Sequence, residues 1–205
     1  LVNDDLRWET TDTKNIGFDF GLFNNKLNGS INYYYNTTED LLIEKVMAPS
    51  AGIYNPTVNV GKMVNKGFEL ELNYGDNVNG FEYNVGLNLS TIKNEMLKAD
   101  PNQILYGSAW KGDGHAVTQT LKGYPVAGFW LYQADGLFQS DAEAAAYVNS
   151  KGERLQPNAY AGDVRFVDTN GDGSIDSSDK VYSGSGIPKV EANLSFSGAY
   201  KNFDL

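Results

Sequence analysis

Read in steps of two, four stretches of the chain switch cleanly between apolar and polar residues. Ile16, Phe18, Phe20 and Leu22 alternate with Gly17, Asp19 and Gly21. Phe68, Leu70, Leu72 and Tyr74 alternate with Glu69, Glu71 and Asn73. Phe81, Tyr83, Val85, Leu87 and Leu89 alternate with Glu82, Asn84, Gly86, Asn88 and Ser90, and Val190, Ala192, Leu194 and Phe196 repeat the pattern near the end. A period of two gives each strand one oily face and one wet face. The pattern predicts strands over residues 14–23, 30–43, 66–75 and 80–93, with a further strand near 190.

Two all-β architectures produce this alternation. One is a soluble β-sandwich, whose oily faces meet in a core. The other is an antiparallel transmembrane β-barrel, whose oily faces meet lipid. Strand length favours the barrel, because about 9–11 tilted residues cross a bilayer and ordinary strands cluster near 5–6. Connection length points the same way. Residues 24–29 (NNKLNG) and 75–80 (GDNVNG) are tight Asn/Gly turns, whereas 44–65 and roughly 94–188 are long. Short periplasmic turns with long extracellular loops are the barrel layout. Tyr33 to Tyr35, Tyr74, Tyr83 and Tyr200 fall near strand ends, where an interfacial aromatic girdle belongs. The expectation is therefore part of a transmembrane barrel over 1–205, with Glu69, Glu71, Glu82, Asn84 and Asn88 facing a water-filled interior. The sandwich, a secreted ligand-binding module with a calcium-stapled loop, is the alternative.

Composition narrows the partners. Twenty-six acidic against 16 basic residues give a net charge of -10 over 205 residues, which argues against nucleic acid. The absence of cysteine removes disulfides, thiolate metal sites and thiol nucleophiles. No apolar run is long enough for a transmembrane helix. The opening LVNDDLRWET has neither an initiator Met nor a signal peptide, so the sequence is expected to be a piece of a longer or processed chain.

The stretch FVDTNGDGSIDSSDK (166–180) carries the most specific chemistry. Asp168, Asn170, Asp172, Ser174, Asp176 and Asp179 occupy positions one, three, five, seven, nine and twelve of an EF-hand-like calcium loop. Gly173 sits at position six, where such a loop turns sharply, and Ile175 at position eight would anchor it to apolar neighbours. An Asp replaces the usual Glu at position twelve. The competing reading is a solvated Asp-Gly turn. With calcium, the expected role is to stiffen a long connection, not to catalyse.

Other candidates carry less. His115, the single histidine, lies in WKGDGHAV and reads as a loop residue, with no motif joining it to a nucleophile. Glu69 and Glu71 share a face as an acid and base would, but alternating strands make such pairs routinely. No catalytic residue, and no enzyme, is expected. Phe129, Trp130 and Tyr132 lie in the aromatic stretch 128–138. They suit either stacking on a sugar or partner, or a loop's own small core. Residues 141–148 read as one short helix, N-capped by Ser140 with Asp141 and Glu143 in its first turn.

Four segments in this order resemble the C-terminal barrel region of SusC/RagA-type TonB-dependent outer-membrane transporters of the Bacteroidetes. They are LRWETTDTKNIGFDFGLFNNKLNGSINYYYNTTEDLL (6–42), GKMVNKGFELELNY (61–74), YPVAGFWLYQADGLFQSDAEAAAY (124–147) and AGDVRFVDTNGDGSIDSSDKVYSGSGIPK (161–189). The resemblance implies outer-membrane location in contact with lipid, and TonB-coupled uptake of oligosaccharides or oligopeptides. It also implies a SusD-like surface lipoprotein and TonB as partners. The family's plug domain and TonB-engaging segment have no counterpart in these residues. The terminal YKNFDL does not resemble the family's aromatic last strand, so a partial barrel is expected.

Overall fold

The computed structural model describes residues 6–45, 47, 48, 50, 52, 54–100, 104–107 and 116–205. In chain order the elements are β1 (Thr10–Leu22), β2 (Leu27–Glu44), β3 (Thr57–Val78), β4 (Phe81–Thr91), β5 (Lys93–Lys98), β6 (Leu105–Tyr106), β7 (Thr118–Thr120), β8 (Gly128–Tyr132), β9 (Ala134–Leu137), α1 (Asp141–Ala146), β10 (Val164–Phe166), a 3-10 turn (Ser177–Asp179), β11 (Lys180–Gly184), β12 (Val190–Tyr200) and β13 (Phe203–Asp204). They fall into two units, one of residues 1–105, 120–126 and 185–205, the other of 106–119 and 127–184.

The first unit is an antiparallel sheet in the order β1-β2-β3-β4-β12-β13, with β5 pairing β3 beyond the end of β4. β1, β2 and β3 exceed the expected spans, whereas β4 (Phe81–Thr91) falls inside the expected 80–93. β2 runs 18 residues and β3 runs 22, so β3 begins at Thr57 and the connection after β2 occupies 45–56, not 44–65. The alternating core of each strand was visible in sequence, but pairing continues past it through mixed residues such as Lys62 and Glu39, which form an ion pair at 2.6 Å. The hairpins are correspondingly tight. Asn79 and Gly80 alone join β3 to β4, with φ of 53° and 82°. Two successive left-handed residues make the turn whose twist matches paired strands, and Asn-Gly adopts it at least cost.

Register aligns the alternating residues into rows across the sheet. Phe18, Ile31, Leu70, Leu89 and Ala192 form one row; Phe20, Gly29, Leu72, Leu87 and Leu194 form the next; Leu22, Leu27, Tyr74, Val85 and Phe196 follow. All lie on one face. Ile16, Phe18, Phe68, Val190, Leu194 and Phe196 on this face are each more than half exposed. Among the described residues no second sheet covers it, which is the barrel arrangement and not a sandwich core. From Phe68 to Val78 the band takes ten steps along β3, with Asp76, ion-paired to Lys26, as its one charged position on that strand. At about 3.4 Å per residue and roughly 45° of tilt its height is about 24 Å. That matches the apolar band of an outer-membrane barrel, about 25 Å tall.

Rings gather at the hairpin end of the band. Tyr74 lies 6.0 Å from Tyr83, and Phe81 5.9 Å from Tyr83. Lys26 in the β1–β2 turn meets Asp76 at 2.7 Å. Among the described residues no helix is long and apolar enough to cross a membrane. At the other end β4 hands over to the inserted residues, where the amide of Ile92 donates to the carbonyl of Lys189 at 3.0 Å beside the Thr91–Val190 pair.

The second unit holds a four-stranded sheet, β11-β8-β7-β6, and the β9–β10 pair. Its small core is Phe138, Ala144 and Ala159, with Tyr147 packed edge-on to Phe138 at 5.7 Å. Burial pushes the Tyr147 phenol above its ordinary range, and its hydroxyl donates to the Phe166 carbonyl at 2.8 Å. Helix α1 starts as its sequence dictates, with Ser140 Oγ accepting from the Glu143 amide at 3.2 Å. It ends at Ala146, two residues short of the expected span, where Tyr147 leaves helical dihedrals and turns its ring into the core. Arg165 clasps Glu143 at 2.7 Å and Asp135 at 3.0 Å, tying helix to strand.

Candidate functional site

The face opposite the apolar rows carries the residues expected on a wet lumen. Register sets Asp19, Ser30, Glu71, Asn88 and Asn193 in one row, and Gly17, Asn32, Glu69, Ser90 and Glu191 in the adjacent one. An open depression of about 530 Å³ lies over Ser30, Asn32, Glu69, Glu71, Asn88 and Glu191. Carboxylates, amides and hydroxyls without a basic side chain in either row make a surface that hydrogen-bonds hydroxyls and amides. It also repels anions. Asn73 Nδ2 donates to Glu71 Oε1 at 3.1 Å, and Asn77 Nδ2 to Glu82 Oε1 at 3.0 Å. Glu69 and Glu71 share this face as expected, but on an open wall and not in a closed cleft.

The acidic loop in the second unit winds around its own amides. Asp168 accepts from Gly171 N at 2.7 Å through Oδ1 and from Gly173 N at 2.8 Å through Oδ2. Asn170 Oδ1 accepts from Asp172 N at 2.8 Å, Asp172 Oδ1 from Ser174 N at 2.9 Å, and Asp176 Oδ1 from Ser178 N at 2.7 Å. Gly173 has φ of 88°, a left-handed position that a side chain rarely adopts. So the spacing legible in sequence does coil the loop.

Asp179 behaves differently from a simple ligand. It is fully buried. Its Oδ1 accepts from Thr169 N at 2.8 Å and Asn170 N at 3.3 Å, and its Oδ2 from Asp176 N at 2.8 Å. These backbone donors, that of Asp176 foremost, hold its carboxyl below the ordinary value despite burial. Sequence reasoning missed this staple, and also Asn149, whose Nδ2 donates to the Gly173 carbonyl at 2.9 Å. Nothing in the spacing signals Asn149, which lies 24 positions away. Among the described residues no three Asp, Glu, His or Cys side chains gather closely enough to hold a metal ion. The donor set of 168–176, all hard oxygens with lone pairs beyond those the amides occupy, still suits a hard cation.

The aromatic stretch divides between two faces of β8. Trp130 packs edge-on against Tyr182 at 6.0 Å, and Tyr132 lies 5.4 Å from Phe166. These two build their own unit. Phe129 and Leu131 lie on the other face, 36% and 41% exposed. His115 lies outside the described residues.

Comparison with known proteins agrees with this geometry. A family model described as TonB dependent receptor-like, beta-barrel, matches residues 2–205. A TonB-dependent receptor of Formosa agariphila is 31% identical over 211 residues, covering 100% of this chain and 20% of that protein. The TonB-dependent receptor SusC of Bacteroides thetaiotaomicron is 30% identical over 217 residues, covering 99% of this chain and 19% of that protein. The RagAB peptide importer in its open-open state superposes with a TM-score of 0.72 at 20% identity, over 98% of this chain and 20% of that one. The chain spans about a fifth of the length of these relatives. An unclosed antiparallel sheet with an uncovered oily face, a polar opposite face and this span of matched residues has one home: the chain belongs to the TonB-dependent receptor β-barrel family.

Proposed function

We propose that this chain forms one sector of the wall of an outer-membrane importer of the SusC/RagA type. Its cargo is oligosaccharide or oligopeptide, TonB supplies the energy coupling, and a SusD-like surface lipoprotein caps the opening. The observation that carries this reading is the sorting of apolar and polar residues into opposite faces across five paired strands. Glu69, Glu71 and Glu191 then line the passage, and the polar side chains in the same rows, Asn32, Ser90 and Asn193, suit hydroxyl- and amide-rich cargo. The chain catalyses nothing in this role. The source is a member of the Bacteroidetes. The test is uptake of labelled oligosaccharides and oligopeptides by cells that lack the full-length receptor, beside cells that lack TonB. Loss of uptake of the same cargo in both strains is expected. Unchanged uptake of every cargo without the receptor would refute the reading.

The acidic loop is assigned calcium as a structural ion. Asp168, Asn170, Asp172, Ser174 and Asp176 are its donors, while Asp179, expected from spacing at position twelve, holds the loop's amides instead; the order of oxygen donors around Gly173 supports the assignment. Chelation is expected to expose residues 160–185 to protease, and unchanged cleavage after verified metal removal would count against the ion. Phe129 is the part of the aromatic stretch assigned to cargo or lipoprotein contact, because Trp130 and Tyr132 are engaged within their own unit.

A further inference from the structure

Register brings together three lysines that sequence separates by up to 79 positions. Lys14 pairs Tyr35, Tyr35 pairs Lys66, and Lys66 pairs Lys93, across β1, β2, β3 and β5. By the period of two, Lys14, Tyr35 and Lys66 continue the apolar face. They lie one pleat beyond the row of Ile16, Tyr33 and Phe68, at the rim away from the hairpin turns. Lys66 Nζ sits 5.8 Å above the Tyr35 ring, and Tyr33 packs on Phe68 at 4.8 Å just below. Aliphatic stems on the oily band with ammonium heads beyond it are how lysines sit at a membrane surface.

The pairing within the row is unusual. Like charges directly opposite one another across a ladder destabilise it, yet Lys66 faces Lys93. Two pleats farther out Lys62 likewise faces Lys98, but there Glu39 neutralises Lys62 at 2.6 Å. Lys66 Nζ lies over the Tyr35 ring, and no carboxylate pairs with it among the described residues. Lys14 touches Asp12 at 3.2 Å and Lys93 touches Glu95 at 3.4 Å, but with lysine side chains 72% and 65% exposed these are weak pairs. The row's surplus of positive charge suits an anion, and its continuity with the lipid-facing band fixes where that anion comes from.

We propose that Lys14, Lys66 and Lys93 form a docking row for the phosphate of an anionic lipid headgroup, at the rim of the apolar band opposite the hairpin turns. The assignment rests on the membrane reading above. Two ammonium groups held opposite each other clamp one phosphate, and the Tyr35 ring holds Lys66 upright beside it. The bound lipid relieves the repulsion that the bare sheet carries, so lipid binding and sheet stability are linked.

The test uses the full-length receptor, delipidated in detergent and titrated with phosphatidylglycerol, with phosphatidylcholine as the zwitterionic comparison and native mass spectrometry as the readout. Lys66→Gln or Lys93→Gln is expected to weaken phosphatidylglycerol binding about fivefold, and the double variant about 25-fold, at about 1 kcal/mol for each lysine near a membrane surface. Phosphatidylcholine binding and the Lys62→Gln variant should not change. Without anionic lipid, Lys66→Gln should raise the unfolding midpoint, because it removes the opposed charges, and with the lipid it should lower it. Equal phosphatidylglycerol binding by wild type and double variant overturns the row. Displacement of the lipid by inorganic phosphate overturns the lipid as its occupant. A receptor that enters lipid nanodiscs of no composition overturns the membrane reading and the row together, whereas one that enters them with equal binding in all variants overturns the row alone.

Discussion

Leu194 gives the sharpest test of which side of the sheet meets lipid. It is 73% exposed and pairs in register with Leu87. On a water-facing surface, replacing such a residue with Arg shifts stability by less than about 0.5 kcal/mol. Leu194 shares its row with Leu72, third of the six rows from Phe68 to Val78. That places it near the middle of the apolar band. A guanidinium facing lipid at that depth costs about 2–4 kcal/mol. The folding equilibrium should therefore fall roughly 30- to 700-fold. Asn193, one residue away, points to the wet face among Asn88 and Glu71, where Arg meets water and carboxylates. The assay is urea titration of the full-length receptor folded in phospholipid vesicles, comparing Leu194→Arg with Asn193→Arg. A large midpoint loss for the first and little for the second is the expected outcome. Equal midpoints would mean that the two faces share one environment, and the assignment of lipid and lumen would fail.

Three further predictions concern the loop and the hairpin. Asp179→Asn keeps one acceptor for the Thr169 and Asn170 amides but turns an NH2 toward Asp176 N. About 1–3 kcal/mol of local stability should be lost, seen as faster hydrogen exchange at Asp176, and unchanged exchange there would refute the staple. The same carboxyl titrates below its ordinary 3.8, so its stabilisation is complete above about pH 4 and fades as pH falls through the lower folded value. Protection of the Thr169 and Asp176 amides, taken relative to the intrinsic exchange rate at each pH, should fall only below about pH 4; a fall beginning near neutral pH would point to another group. Gly80→Val meets no neighbour but must adopt φ of 82°. It should cost about 1–2 kcal/mol through the backbone alone, and a neutral result by urea titration would argue against the two-residue turn.

What was legible in sequence follows the range of each interaction. Alternation is local, so the oily and wet faces of Phe68–Tyr74 and Phe81–Leu89 could be read directly, and Asn79-Gly80 marked its hairpin. The far halves of β2 and β3 could not be read, because Lys62, Asn65 and Asn36 show no clean alternation and pair only because their neighbours already do. The β4–β12 partnership joins residues about a hundred positions apart and leaves no local trace. In the acidic loop the spacing showed which residues would coil, but not that Asp179 would turn inward to three backbone donors. Spacing offered Asp179 as a ligand; burial made it a staple. The lysine row is the extreme case, since only register makes neighbours of Lys14, Lys66 and Lys93.

The hydrogen bond from Ile92 to Lys189 has a consequence for how such a protein can change. It shuts the mouth of the insertion, so the sheet registers roughly a hundred residues as though they were one hairpin. Lengthening a segment whose ends are already fixed costs little more entropy. The whole segment can therefore act as a cassette, exchanged for another of different size or taste while every rung from Thr91–Val190 downward stays in place. One wall can in this way carry many different insertions.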